Sequence, residues 1–581
     1  MADQRTASAD ETADTVVVTA TPEEPPVDRW WLRPSVLALA AFLIYLLIAT
    51  VLWVIPVGGH LATRHLGMGG NDVRIYIWAM KWTPHAITSG LDPFRTDAVF
   101  APNGLDLTWV TTIPGPALVL WPITEVFGPL ASVNVAMLLA PALAAWAGFL
   151  VCRRVTGAFW PSLAGGYLIG FSSYMVGQML GHVNLILIFP AILGVYLVVR
   201  RVEGSMGRVP FIALLALAIV GLFSISTELV ATASLFGAVA LLGAFAFGGE
   251  ARARILRAGL ESGAAYLVAA VLLLPVLIPA LQHAPHGSVR PAERASVDLL
   301  SFVVPRTGTL IGGERYLDIS SDFTTNPSED GAYVGLVLLA MLVAFAFTER
   351  RRRETWLLLA FAVFAGLLAL GPELHIRGIG HTPLPAAILT HAPLLEHATP
   401  QRFSAYLWIP IGVIAAIWLS RAEAEWSWPR WAVVVLGAIT LLPNVQAPPR
   451  GREVVAPRFF TDGAFRRYLE PNEIIYPIPK MKGDEMLWQA VGDFEFRMAQ
   501  GYTGPTPEEY ATQPLARGLA LHHPSPFVPP VPMLEEYLGD HHVTAVVTAD
   551  VATKKFGEIL VEAGWTPERV EDVDVWRKTS G

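Results

Sequence analysis

Residues 34–56 read PSVLALAAFLIYLLIATVLWVIP, a run without a single charged side chain. At about 1.5 Å of rise per residue a helix of this length reaches ~35 Å, enough to cross roughly 30 Å of hydrocarbon. Peptide groups find no water there, so the run must fold as a helix that closes its own hydrogen bonds. The same criterion, applied outward along the chain, predicts further spans near 129–152, 158–180, 183–201, 209–225, 228–247, 259–281, 332–348, 355–371, 403–420 and 431–447. The expected fold is an α-helical polytopic membrane protein with about eleven transmembrane helices.

Composition points the same way. Of the 581 residues 53% are hydrophobic and 15% charged, against about 25% charged in a soluble domain. The net charge of −8 is spread along the chain and forms no basic stripe, which argues against nucleic acid as a partner. With one cysteine, Cys152, the chain has neither an intrachain disulfide nor a thiolate metal cluster, so carboxylates and histidines would have to hold any metal. Residues 1–28 are polar and lack the basic start and short apolar core of a secretory signal. They read as a disordered cytoplasmic tail ahead of a transmembrane domain over 29–447.

Orientation follows from arginine, because short loops that retain positive charge stay on the cytoplasmic side. Those loops hold Arg153 and Arg154; Arg200, Arg201 and Arg208; Arg252, Arg254 and Arg257; Arg350 to Arg353; and Arg421 and Arg430. All fall on one side if each predicted span crosses once. The segment Thr111 to Gly128 would invert every later loop if it crossed, and it carries Pro114, Pro116 and Pro122. It is expected to be a juxtamembrane or re-entrant element. The N-terminus is then cytoplasmic, and the long connections 57–128, 282–331, 372–402 and everything after 448 lie outside. All fourteen histidines fall in these outer segments or at an outer helix end. A chemical site is expected on that face of the cytoplasmic membrane.

Over 448–581 charged residues mix with short apolar runs. Glu473 to Pro477, His542 to Thr548 and Asp574 to Arg577 read as strands, and Pro532 to Leu538 and Ala552 to Ala563 as helices. A small C-terminal α/β extracytoplasmic domain is expected, packed over the membrane part.

The outer loop 57–128 carries the most chemistry. Gly69-Gly70-Asn71-Asp72-Val73-Arg74 leads into an aromatic-rich helix with Trp78, Trp82 and His85, followed by Gly90-Leu91-Asp92-Pro93-Phe94 and Phe100-Ala101-Pro102-Asn103-Gly104. Asp72 at that helix start suits a general base or a metal partner; equally, Asp72 or Asn71 suits a plain N-cap. The turn at Pro102-Asn103-Gly104 reads as structural. Trp78, Trp82 and Trp109 suit interfacial anchors more than sugar platforms.

Arg402 opens a span where a lipid phosphate would lie, and guanidinium binds oxyanions bidentately. Arg290 and Arg294 are further cations, with headgroup snorkelling as the plain alternative for all three. His182 begins a span and Glu228 sits at a helix junction after Ser226 and Thr227. Ionisable groups at such depth face a cavity or a partner, so both are candidates for substrate hydroxyl or phosphate, or for a packing contact. Glu329 and Asp330 precede the span at Gly331 and are candidates for facing the same cavity, but read more simply as charge at a helix N-terminus.

Several motifs taken in order resemble the bacterial members of the GT-C superfamily of integral membrane glycosyltransferases. They are the outer-loop aspartate, Gly-Leu-Asp-Pro-Phe, Phe-x-Pro-Asn-Gly-x-x-Leu, Gly181-His182-Val183-Asn184-Leu185 and Pro400-Gln401-Arg402-Phe403, with Met486-Leu487-Trp488-Gln489 and Phe496-Arg497-Met498 in the outer domain. The resemblance implies transfer of a sugar from a polyprenyl-phosphate donor to a lipid-linked or cell-envelope glycan acceptor, on the outer face of the membrane and with inversion. It also implies that an acidic residue of the first outer loop serves as base or metal partner, the position held here by Asp72. Some relatives carry two adjacent acids at that place, whereas here the neighbour is Asn71. A divalent cation, Mg or Mn, therefore stays an open expectation. The alternatives of another class are a multi-span transporter or flippase of a lipid-linked sugar, which predicts repeated halves or broken helices around a midplane site, with no internal repeat visible in this sequence, and an inactive envelope-assembly scaffold.

Overall fold

The computed structural model describes residues 33–67, 72–282, 292–329, 331–391, 395, 398–445, 451–480, 483–504, 510, 512–515 and 529–578. The predicted tail 1–28 and the candidates Asn71 and Arg290 lie outside the described residues, as does Asp330.

Each of the eleven predicted segments contains helix. The first is α1 (Pro34–Ala49), prolonged by a π turn and a 3-10 turn to Val57. After α2 (Asp72–Thr88) come α3 (Pro114–Val119) and α4 (Trp121–Phe127), then α5 (Pro129–Thr156), α6 (Phe159–Gly170), α7 (Ser173–Gln178), α8 (Val183–Ile186), α9 (Phe189–Val202), α10 (Arg208–Phe223), α11 (Thr227–Phe247) and α12 (Arg252–Gln282). Beyond the short α13 (Leu317–Ser320) lie α14 (Gly335–Thr348), α15 (Arg353–Ala369), α16 (Ser404–Ser420) and α17 (Ala424–Thr440). Among the described residues six stretches are long and apolar enough to cross a membrane: Pro34–Val57, Pro129–Thr156, Val183–Val202, Thr227–Phe247, Gly249–Gln282 and Pro400–Ser420. Arg208–Phe223 and Gly335–Thr348 are shorter apolar helices. The chain is a multi-pass membrane protein.

Two predicted spans are broken rods. The segment 158–180 divides into α6 and α7 because Ser172 turns out of helical geometry and its hydroxyl accepts the Met175 N–H at 3.3 Å, starting a new helix. The segment 183–201 divides into α8 and α9, with Pro190 in the first turn of α9, where a missing N–H removes nothing. Between the two breaks Gln178 and His182 come to lie beside irregular backbone. The Thr111 to Gly128 segment forms α3 and α4, of 6 and 7 residues. At about 1.5 Å per residue each is roughly 10 Å long, too short to cross.

At the centre α6 and α16 touch backbone to backbone. A Cβ placed on Gly165 would lie 2.5 Å from the Gly412 carbonyl oxygen, and one on Gly412 would lie 2.5 Å from that of Gly165. In lipid, where apolar surface is abundant everywhere, such close approach of small residues is what selects a helix pair.

The C-terminal residues form a five-stranded sheet of order β6-β5-β7-β9-β8. Two small antiparallel pairs precede it: β1 (Arg95–Thr96) with β2 (Leu105–Asp106), and β3 (Glu373–Ile376) with β4 (Ile379–Pro383). In the sheet β5 (Ile474–Ile478) pairs in parallel with β6 (Arg497–Met498) and β7 (Ala545–Ala549), while β9 (Val573–Lys578) runs antiparallel to β7 and to β8 (Trp565–Val570). Three of these strands answer to predicted ones. β8 escaped prediction because it is the sheet edge, where proline and charge are tolerated and suppress the usual apolar alternation. The described helices of this region include α18 (Arg458–Thr461), α19 (Asp484–Val491), α20 (Val531–Asp540) and α21 (Asp550–Glu562).

Candidate active site

The 3-10 turn Pro400–Phe403 places Arg402 just before α16. A cation at the positive end of a helix is disfavoured by about 0.3–1 kcal/mol, so other groups must hold it. Arg402 Nη1 donates to Glu228 Oε2 at 2.5 Å, Nη2 to Glu329 Oε1 at 2.5 Å and Nε to Glu329 Oε2 at 3.2 Å. Glu228 lies in the first turn of α11, where negative charge is favoured, and its other oxygen accepts the Thr399 N–H at 3.3 Å.

Glu329 is 1% exposed and also accepts from Gln178 Nε2 at 3.1 Å. It reaches this depth because the chain that follows is pressed against α7: a Cβ on Gly331 would lie 2.6 Å from Tyr174 Cα, and the Gly331 carbonyl accepts the Ser173 hydroxyl at 2.8 Å. Burial alone would push the Glu329 carboxyl up. The guanidinium of Arg402, followed by His182, outweighs burial and holds it well below the usual carboxylate range.

Asp72 is the first residue of α2, and Tyr502 donates to its Oδ1 at 2.6 Å. Its Oδ2 stands 3.6 Å from His182 Nε2, which is itself 3.7 Å from Glu329 Oε1. Four of the five candidates that the structure describes therefore converge: Asp72, His182, Glu228 and Arg402 form one chain of charge through Glu329. The fifth, Arg294, is exposed on the turn Ala292–Ala295 and, among the described residues, makes no hydrogen bond or ion pair with the cluster. Glu329 is the correction: it is a buried partner of Arg402, not a charge at a helix start. The acidic pair before an apolar run was its only signal in the sequence. Tyr502, in Gly501-Tyr502-Thr503-Gly504, carried none.

Buried polar atoms in a native fold are almost always paired. Around this cluster His182 Nδ1, Gln178 Oε1, Thr399 Oγ1 and Gln401 Oε1 are buried and have no partner among the described residues. The same residues offer no metal set, since among the described residues no three His, Cys, Asp or Glu side chains are placed to hold a metal ion. The oxygens of Glu228 and Glu329 face Arg402 instead. The chemistry proposed for this cluster uses only the side chains described and no metal ion.

The C-terminal sheet domain closes over α2. Arg74 donates to Asp484 Oδ1 through Nε at 3.0 Å and Nη2 at 2.8 Å, and Trp78 Nε1 donates to Gln489 Oε1 at 2.7 Å. Ala101 N–H donates to the Met498 carbonyl, and Met498 N–H to that of Ala98, each at 2.9 Å. Gln489 and Met498 belong to the two outer-domain motifs singled out from sequence, so those motifs serve docking. Trp78 and Trp82 stack on each other at 5.2 Å with Phe494 against their edges and are at most 2% exposed. They are core, neither anchors nor sugar platforms.

Below the cluster an apolar cavity of about 540 Å³ runs among α5, α9, α10, α11, α12, α15 and α16. Val230 and Tyr406 line its upper part, and these residues follow Glu228 and Arg402 on their helices. Leu357, Val199 and Val155 line the far part, toward the arginine-bearing loops.

Residues 37–442 match the family described as "Domain of unknown function (DUF6311)". The chain belongs to that family. No curated protein matches it. Among solved structures this DUF6311 chain resembles the oligosaccharyltransferase AglB from Archaeoglobus fulgidus, in complex with an inhibitory peptide and a dolichol-phosphate. That likeness has a TM-score of 0.51 at 12% identity, over 95% of this chain and 75% of that one. The same enzyme tethered to an acceptor peptide gives 0.50 at 13% identity, with the same coverage. ArnT from Cupriavidus metallidurans bound to undecaprenyl phosphate gives 0.49 at 12% identity, over 93% and 98%. The likeness to AglB shows a shared fold, a helical membrane part with a smaller C-terminal domain, as expected from the sequence.

Proposed function

We propose that this chain is a glycosyltransferase that moves a sugar from a polyprenyl-phosphate donor to a glycan or glycolipid acceptor, with the loop-bearing end and the C-terminal domain outside the cytoplasmic membrane. One observation carries the reading: a carboxylate, Asp72, and a guanidinium, Arg402, are linked in one cluster through His182 and Glu329, and Val230 and Tyr406, which follow Glu228 and Arg402 in the chain, line an apolar cavity inside the helical bundle. A polyprenyl chain suits that cavity, which leaves its phosphate at the level of Arg402. AglB was solved with a dolichol-phosphate, which supports a donor of this class.

The chemistry follows from the residues. Asp72 takes the proton of an acceptor hydroxyl as its oxygen forms a bond to the anomeric carbon. The bond from that carbon to the phosphate oxygen breaks on the opposite side, so one displacement inverts the centre. Negative charge collects on the departing polyprenyl phosphate, where Arg402 stabilises it. Because Glu228 and Glu329 occupy Arg402, the phosphate must compete with them. Their role is to hold the guanidinium at a helix end that would otherwise repel it.

The test is sugar transfer in membranes containing the full chain and its Asp72→Asn variant, supplied with radiolabelled polyprenyl-phosphate sugars. Loss of transfer with folding retained is expected. Undiminished transfer removes Asp72 from the mechanism.

A further inference from the structure

The membrane part does not hold Asp72 alone, since the C-terminal domain reaches it through one side chain. Tyr502 follows β6 on a stretch whose backbone is fixed from two sides. A Cβ on Gly501 would lie 3.0 Å from the Val99 side chain, and the Tyr502 N–H sits 3.3 Å from Met486 Sδ of α19. The phenol hydroxyl is thereby delivered to Asp72 Oδ1 at 2.6 Å, a short contact of the kind an ionised acceptor makes.

Other groups bound the carboxylate too. His182 Nε2 faces Oδ2 at 3.6 Å, with Glu329 and Arg402 beyond it, and Tyr76, one turn on in α2, donates to Asn184 Oδ1 at 2.6 Å. The domain itself stays attached through Arg74 with Asp484, Trp78 with Gln489 and the backbone pairs at Met498. The Tyr502 hydroxyl is therefore not what fastens the domain.

We propose that Tyr502 is a positioning residue for sugar transfer, holding Asp72 by Oδ1 so that Oδ2 is the oxygen presented, on the His182 side, to the acceptor hydroxyl. This rests on the reading of Asp72 as the base. A carboxylate has two soft torsions and needs such a clamp: loss of about 1 Å in the placement of a reacting group lowers a rate by about 10²-fold.

The experiment uses the full chain in native membranes. Undecaprenyl-phosphate sugars carrying one labelled hexose or pentose serve as donors, and transfer to the endogenous acceptor is followed. Tyr502→Phe removes one oxygen and is expected to lower kcat by about 10–100-fold. KM for the donor and the melting temperature should both stay unchanged. Added to Asp72→Asn and read over long incubations, it should bring no further loss. Full kcat in Tyr502→Phe, a change in KM alone, or an equal further loss on top of Asp72→Asn would each overturn the proposal. Asp72→Asn with full activity is a different result, since it removes the base and with it the purpose of the clamp.

Discussion

Arg402 and Arg421 flank the same helix, α16, and are held in opposite ways. Arg421 follows the last turn, where the negative helix end favours a cation, and its Nη1 and Nη2 donate to Glu349 at 2.9 Å and Glu354 at 3.3 Å. It is 30% exposed, and water still solvates it. Arg402 stands at the positive end, is 18% exposed, and is held by carboxylates from two separate segments, one of them 1% exposed. Taking ions out of water costs several kcal/mol each, and such pairs add little net stability. Arg421 is where helix electrostatics would put an arginine. Arg402 is where they would not, and the cluster built to keep it there argues for a use in chemistry.

That contrast can be broken by substitution. Arg402→Ala is expected to have the largest effect, abolishing transfer and destabilising the fold by about 3–5 kcal/mol, because it leaves Glu329 buried without its cation. Transfer assays and thermal unfolding in detergent measure the two losses. Asp72→Asn should lower kcat by about 10²–10⁴-fold with unfolding nearly unchanged. If both substitutions destabilise the protein equally, the division between a holding and a reacting carboxylate is wrong.

Acid should expose the Glu329 linkage. Its folded carboxyl is held below the ordinary value of 4.5. Its contribution is therefore complete above about pH 4.5 and is lost as the pH falls below that value. Unfolding followed between pH 6 and 3, on the order of half-unit steps, should show a steeper loss in the parent than in Glu329→Gln. Equal slopes would mean that Arg402 does not bias this carboxyl. The smallest effect belongs to Arg421→Ala, under about 1 kcal/mol of stability and none on transfer. A loss comparable to that of Arg402→Ala would erase the distinction between the two ends.

Much of this was legible in the chain and some was not. His182, Glu228 and Arg402 were each found as an ionisable group at the edge of an apolar run, a position costly enough to need a reason, and Asp72 as the acid that opens an aromatic-rich helix after a glycine pair. Their mutual distances were invisible, since Asp72 and Arg402 are separated by most of the membrane domain. Glu329 was misjudged because the sequence shows a charge before a span but not the pressing of Gly331 onto α7 that buries it. Trp78 and Trp82 were misjudged for the matching reason: an aromatic in an outer loop looks exposed until another domain covers it.

The sequence by itself determined the class of protein, because long uncharged runs have no solvent but lipid and must close their hydrogen bonds as helices. It determined the sheet domain in outline and marked the segments that bear charge. Only the tertiary structure decided where two spans break, which carboxylates hold Arg402, and that Tyr502 meets Asp72. Helix formation in lipid is dictated by neighbouring residues, whereas burial and pairing of charge depend on segments hundreds of positions apart that only packing brings together.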